Sequence, residues 1–178
     1  MPIEIRPAEP TDVDAIVALV TAAYRGDASR GGWTTEAHLL DGRRTDRGEV
    51  AGALAAPDTV LLTARDGGQV VGCITVDRGD GTTAHFGMFA VDPTRQSGGV
   101  GGALLDAAEA QARAWGCTGL ALEVLHQRTD LQGWYRRRGF EPTGETQPFP
   151  YGDERFGLPR RDDLVFDLWR RSLPPEPR

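Results

Sequence analysis

The sequence predicts a mixed α/β domain, and three observations carry that prediction. Apolar runs of strand length alternate along the chain with segments whose apolar residues recur at helical spacing. Two of the strand-length runs flank Arg65-Asp66-Gly67-Gly68-Gln69, a hairpin signal. A third run ends at Asp92-Pro93, where proline stops a strand, and opens through a glycine-rich loop into a helix-periodic segment.

Taken in order, Ile3 and Ile5 alternate with Glu4 and Arg6 as a first strand. Thr11, with Asp14 three residues on, is placed to cap a helix whose apolar face is Val13, Ile16, Val17, Val20 and Tyr24. Residues 25–52 are polar and dotted with glycine, with a second helix expected around Thr35–Leu40. Strands Val60–Ala64 and Val70–Val76 form the hairpin, Asp77–Thr83 turns, and Ala84–Val91 is the next strand. The helix after the glycine loop carries Val100, Ala103, Leu104, Ala107 and Ala108 on one face and is expected to reach Trp115 and stop at Gly116. Leu120–Val124 reads as a strand, and Asp130–Arg138 as a helix with basic residues in its last turn and Gly139 closing it. Phe140–Gly144 and Leu164–Leu168 read as the last strands, and the proline-rich tail is expected to fray.

The 178 residues fit a single domain, expected over 1–172, followed by a tail over 173–178. A net charge of −6 without a basic stripe argues against a nucleic-acid partner. No run of ~18 apolar residues suggests a membrane span, and Met1-Pro2-Ile3-Glu4 does not open a secretion signal, so the cytoplasm is the expected compartment. Cys73 and Cys117 sit in apolar contexts and read as buried small side chains. No metal site is expected. All 20 basic residues are arginines, so the chain offers no lysine for self-modification, and its acidic balance suits a cationic amine.

The strand–loop–helix passage around Gly98 points free N–H groups and a helix dipole at one spot, which favours an anion such as a diphosphate. A nucleotide P-loop needs a Gly-Lys-Ser/Thr step, and the chain has no lysine. A dinucleotide fingerprint counted from Gly99 and Gly101 meets Leu104 where a small residue belongs. Glu123 lies at the spacing of a ribose-binding acid, but inside an apolar run rather than at its end.

Gln96-Ser97-Gly98-Gly99-Val100-Gly101, with Val91-Asp92-Pro93 before it and Gly102-Ala103-Leu104-Leu105 after it, resembles the acetyl-CoA loop of the GNAT acetyltransferases, Arg/Gln-x-x-Gly-x-Gly/Ala. Trp134-Tyr135-Arg136-Arg137-Arg138-Gly139-Phe140 is similar to that family's Phe/Tyr-Tyr-x-x-x-Gly-Phe segment. Gly32-Trp33-Thr34-Thr35-Glu36-Ala37 and Pro148-Phe149-Pro150 resemble stretches of uncharacterised bacterial members. The resemblance spans roughly residues 3–170. It implies a mixed, mostly antiparallel sheet of about seven strands in the order β-α-α-β-β-β-α-β-α-β-β. In that fold the fourth and fifth strands splay apart, and the pantetheine of the cofactor pairs with the fourth like an added strand.

The resemblance also implies roles. Cofactor contacts fall on Phe89, Ala90, Val91, Gln96, Ser97, Gly98, Gly99, Val100, Gly101 and Gly102, with a backbone N–H of Phe89–Val91 polarising the thioester carbonyl. Arg128 stands where many members have asparagine, and either reaches a phosphate or lies on the surface. Tyr135 occupies the general-acid position, and His85, Glu123 or a water removes the amine proton. Trp33, Glu36, Phe149 and Tyr151 fall in the acceptor region, together with the stretch Arg43-Arg44-Thr45-Asp46. The implied reaction is direct acetyl transfer from acetyl-CoA to a small-molecule amine or amino acid. A peptide or protein amine, or a non-catalytic acyl-CoA sensor, is the alternative. Dimerisation is common in the family, and nothing in the sequence decides it.

Overall fold

The computed structural model describes residues 2–175. Its centre is a seven-stranded sheet whose strands lie side by side in the order 4–7, 59–66, 69–77, 83–91, 119–125, 165–172 and 141–148. The first half runs β1 (Glu4–Pro7) and helix α1 (Val13–Tyr24), both expected, then the short α2 (Gly26–Ser29), β2 (Leu40–Asp41) and α3 (Arg47–Ala55). The hairpin β3 (Thr59–Asp66) and β4 (Gln69–Asp77) turns through Gly67 and Gly68, whose φ values of 55° and 88° suit glycine. After β5 (Thr83–Val91) come α4 (Val100–Ala114), β6 (Gly119–Leu125), α5 (Thr129–Arg137), β7 (Glu141–Pro148), β8 (Leu158–Pro159) and β9 (Val165–Ser172). Only β5 and β6 run parallel; every other neighbouring pair is antiparallel.

Helices cover both faces. On one, α4 buries Leu104, Leu105, Ala108 and Ala112 against Val71, Ile74 and Val76 of β4. Its close approach needs Gly72: a Cβ there would stand 2.8 Å from Leu104 Cδ1 and 3.0 Å from Val100 Cγ1. On the other face, Ile16, Val20 and Tyr24 of α1 and Val50 of α3 pack with Leu61, Cys73 and Ala90. A smaller cluster of Leu39, Leu40, Leu125, Phe149 and Leu164 closes one end. Both cysteines are buried and unbonded to each other.

The site is created by how β5 leaves its neighbours. Thr75 is paired with Gly87 but Cys73 with Ala90, so β5 spends an extra residue, and Met88 takes φ 43° at that bulge. On its other side β5 pairs with β6 only from Thr83 to His85, opposite Gly119 to Ala121. β6 continues along β9 as far as Leu125, so beyond His85 the two strands part.

Several local expectations are corrected. The first helix is entered through a 3-10 turn over Pro10–Asp12, with Asp12 Oδ2 accepting from Glu9 N–H at 2.8 Å, rather than being capped by Thr11. The helix expected around Thr35–Leu40 is a single turn, in which Leu39 and Leu40 N–H both donate to Glu36 O. The helix of this region is α3, whose N-cap Asp46 accepts from Glu49 N–H at 2.9 Å. β7 runs on to Pro148 through a register shift after Pro142, and all of it is exposed as the sheet edge. Leu173 is buried and donates its N–H to Thr118 O, so the tail is held at its start; residues 176–178 of it lie outside the described residues.

Leu104 has no exposed surface and stands at the α4–β4 contact. Leu104→Ala is expected to lower unfolding free energy by about 3 kcal/mol, measured by urea denaturation.

Candidate active site

The parted strands β5 and β6 open onto a cavity on each side. One, of about 710 Å3, is bounded by Phe89 and Val91 of β5, the loop before α4, Trp134 and Tyr135 of α5, and Arg138. The other, of about 370 Å3, lies toward the opposite end of the gap and receives His85, Glu123, Arg44 and Phe149. A narrow space of about 80 Å3 between them is shared: Tyr135 borders both it and the first cavity, and Glu123 and Arg44 border both it and the second.

The larger cavity is built for an anion at one end. Ser97 and Gly99 take φ 68° and 87°, which turns the chain into α4, and the first intrahelical donation is Ala103 N–H to Gly99 O at 3.0 Å. Helix amides N-terminal to Ala103 therefore have no intrahelical acceptor and face the helix's positive end. Gly101 and Gly102 leave this surface bare; a Cβ on Gly101 would stand 3.6 Å from both Phe89 Cζ and Trp134 Cζ2. Arg138 adds positive charge from the end of α5, its guanidinium stacked 4.1 Å from the Trp134 ring centroid and beside Gly102. A diphosphate fits this set of donors, and the cavity leads from it along β5.

Backbone polarity along β5 is divided by direction. Asp92 N–H donates to Val71 O of β4, so in an antiparallel ladder Ala90 also addresses β4, while Phe89 and Val91 turn their amide groups toward the gap. The carbonyl of Phe89 accepts from the Tyr24 hydroxyl, and that of Val91 from Gln96 Nε2 at 3.2 Å. Ala90 thus serves the core through its side chain and β4 through its backbone.

Gln96 acts as a bracket. Its Oε1 accepts from Trp33 N–H at 2.7 Å and its Nε2 donates to Thr34 Oγ1 at 2.7 Å, fastening the segment after α2 over the mouth of the larger cavity. Trp33, expected at the acceptor, consequently lines the larger cavity and faces Trp134 at 6.5 Å.

Arg128 is at neither of its two expected places. It is 1% exposed, and its guanidinium donates to Asp130 at 3.0 and 3.1 Å, to Thr34 O at 3.0 Å, and pairs with Glu36 at 3.5 Å. Glu36, expected to meet an amine, is held between Arg128 and the equally buried Arg25. Burial opposes ionisation of Asp130, but Arg128 outweighs it and holds that carboxyl below its ordinary value. Four charges thus cancel within one network, buried at Arg25, Glu36 and Arg128 and exposed at Asp130.

Tyr135 is buried between Phe86, Phe140 and Trp134, with its ring on the passage between the cavities. Its hydroxyl makes no hydrogen bond among the described residues, and burial pushes the phenol well above its ordinary pKa. Burial likewise pushes Tyr24 up to about 12. His85 stands opposite Ala121 in the parallel register, so it shares a sheet face with Glu123, two residues on; both are exposed to the smaller cavity. Glu123 is therefore on a wet face, not in the apolar strand interior its neighbours suggested. Phe149 forms part of the wall. Tyr151 does not: its hydroxyl donates to Arg161 O and accepts from Leu164 N–H, both at 2.9 Å, which ties the loop before β9.

A family model for the acetyltransferase (GNAT) family matches residues 16–140. The chain is a GNAT-family acetyltransferase. It is 38% identical over 152 residues to an "IAA acetyltransferase" of Azospirillum brasilense, covering 82% of this chain and 88% of that one. It is 37% identical over 84 residues to an "Amino-acid acetyltransferase" of Azotobacter vinelandii, covering 47% of this chain and 18% of that longer one. Its fold is shared with the ribosomal-protein-S18-alanine N-acetyltransferase from Escherichia coli, at TM-score 0.72 and 16% identity over 99% of this chain and 97% of that one. An acetyltransferase of Salmonella typhimurium solved with acetyl-CoA superposes at TM-score 0.71 and 19% identity, covering 100% of this chain and 98% of that one.

Sequence reasoning missed Tyr24, Arg25 and Arg138 as parts of the candidate site. Tyr24 was legible only as a core position of α1, and Arg138 only as a helix-end cation. Arg44, expected at the acceptor end with its neighbours, does line the smaller cavity.

Two variants probe this geometry. Gly101→Glu sets a carboxylate against the phosphate-binding end and is expected to abolish CoA binding in calorimetry while the melt stays cooperative; undiminished affinity would move the diphosphate elsewhere. Arg128→Met removes the donors to Thr34 O and Asp130 while Glu36 keeps Arg25, and is expected to cost about 1–3 kcal/mol of stability in urea denaturation.

Proposed function

We propose that this chain transfers an acetyl group from acetyl-CoA directly to the amino group of a small molecule. The observation that carries the reading is the pair of cavities meeting at Tyr135 through the gap between β5 and β6. Acetyl-CoA, bound along β5 with its diphosphate at the start of α4, supplies an activated thioester. The gap-facing N–H groups of Phe89 and Val91 are the donors for its carbonyl oxygen, where negative charge grows during attack. His85 or Glu123, directly or through water, takes the proton from an ammonium whose pKa is near ~10.4. Tyr135, with an uncommitted hydroxyl that stays protonated, donates to the departing thiolate.

A small acceptor is favoured over a polypeptide because the smaller cavity is roofed. Leu40 and Arg44 come to it from the segment between α2 and α3, and Phe149 and Phe156 from the segment between β7 and β9. A sensor that merely binds acyl-CoA would need neither a free hydroxyl at the junction nor a second cavity.

The test is free-thiol release from acetyl-CoA against a panel of amines. Amine-dependent release is expected, and CoA binding without release for any amine would favour the sensor. Tyr135→Phe is expected to lower kcat about 100-fold or more while acetyl-CoA affinity changes little; lost affinity instead would make Tyr135 a packing residue. Because burial raises the Tyr135 phenol, its ionisation should impose no fall in rate below pH ~10.

A further inference from the structure

The smaller cavity contains two uncommitted charges of opposite sign. Most ionised groups around it are spoken for: Arg25 and Glu36 belong to the buried network, and Asp77 accepts from Gly79 N–H at 2.7 Å and the Thr59 hydroxyl at 3.0 Å. Arg44 and Glu123 are not. Arg44 is half-buried, held only by stacking 5.5 Å from the Tyr24 ring centroid, and makes no ion pair among the described residues. Glu123 makes neither a side-chain hydrogen bond nor an ion pair among the described residues. Both border the 80 Å3 passage that leads to Tyr135, yet they do not pair with each other.

A partly desolvated arginine without an anion is an unfinished carboxylate site, since its planar donors match a carboxylate in two parallel bonds. In the same cavity Arg25 Nε is buried with no partner among the described residues, a second donor left open. The rest of the wall is apolar: Phe86, Phe149, Phe166, Leu122 and Leu125, with Phe149 and Phe166 stacked at 5.8 Å. One small cavity therefore offers a cation, an anion beside a histidine, and an aromatic surface.

We propose that the acceptor is a zwitterion, an α-amino acid with an aromatic or large apolar side chain. Its carboxylate is bound by Arg44, and its ammonium lies toward Glu123 and His85, aimed at the thioester. Its side chain lies on Phe149 and Phe166. This assignment rests on the acetyltransferase reading and names the substrate class for it. It also explains why Arg44 and Glu123 stand in one passage unpaired: a ligand with both charged groups attached to one carbon satisfies each of them at once.

The experiment is calorimetry on the CoA-bound protein with L-phenylalanine, L-phenylalanine amide and phenethylamine as probes, for the native chain and Arg44→Met. The acid is expected to bind about 10- to 100-fold more tightly than the amide and the amine, the scale of one hydrogen bond to a charged group. Arg44→Met should remove that preference by weakening the acid alone, with CoA affinity unchanged. Equal binding of acid and amide, no binding of the acid, or an equal loss for all three probes in Arg44→Met would overturn the proposal. Amine-dependent thiol release without a carboxylate preference would overturn it while leaving the transferase standing; failure of the protein to bind CoA would overturn both.

Discussion

Everything that distinguishes this sheet from an ordinary one follows from β5 leaving β6 after three paired residues. A strand that loses its neighbour exposes backbone donors and acceptors, and such groups are costly unless something meets them. Here the bulge at Met88 turns the strand, the Tyr24 hydroxyl takes up the Phe89 carbonyl, and Gln96 takes up that of Val91. What the ladder leaves facing the gap are the N–H groups of Phe89 and Val91. The two cavities are the two ends of this one opening.

The loops around the opening are fixed by charge as well as by the hydrophobic cluster of Leu39, Leu40, Phe149 and Leu164. Arg25, Glu36, Arg128 and Asp130 form a chain of ion pairs linking the segment after α1 to the start of α5. Such burial costs desolvation that the pairing only offsets, so its value here is positional. Arg128 also holds Thr34 O, next to the residues that Gln96 grips, and this sets the edge of the cofactor-side cavity. With these charges mutually neutralised, Arg44 and Glu123 remain at the smaller cavity without an ion pair among the described residues.

The local features written in short runs of residues were legible in advance. Gly67-Gly68 defines a hairpin wherever it folds, Gly99 and Gly139 end or begin helices because of positive φ, and the apolar face of α4 needs only a 3.6-residue period. Tyr135 and the glycine loop were picked out because each lies in a short run of consecutive residues that resembles the family's motifs. Residues 25–56 were not: α3 contains two glycines and little apolar periodicity, so the cap formed by Asp46 and Glu49 was its only local signal. Arg128 was misplaced for a related reason. An arginine in a polar stretch looks exposed unless its partners are known, and Glu36 and Thr34 lie over ninety residues away in the chain.

By itself, the sequence determined the elements, the anion-binding turn and the kind of chemistry, since each rests on hydrogen bonds and periodicities spanning only a few residues. Only the tertiary structure decided which backbone groups of β5 are free, which charges cancel, and which remain. Those outcomes depend on pairings between segments far apart in the chain, where no local pattern of residues records the distance that folding closes.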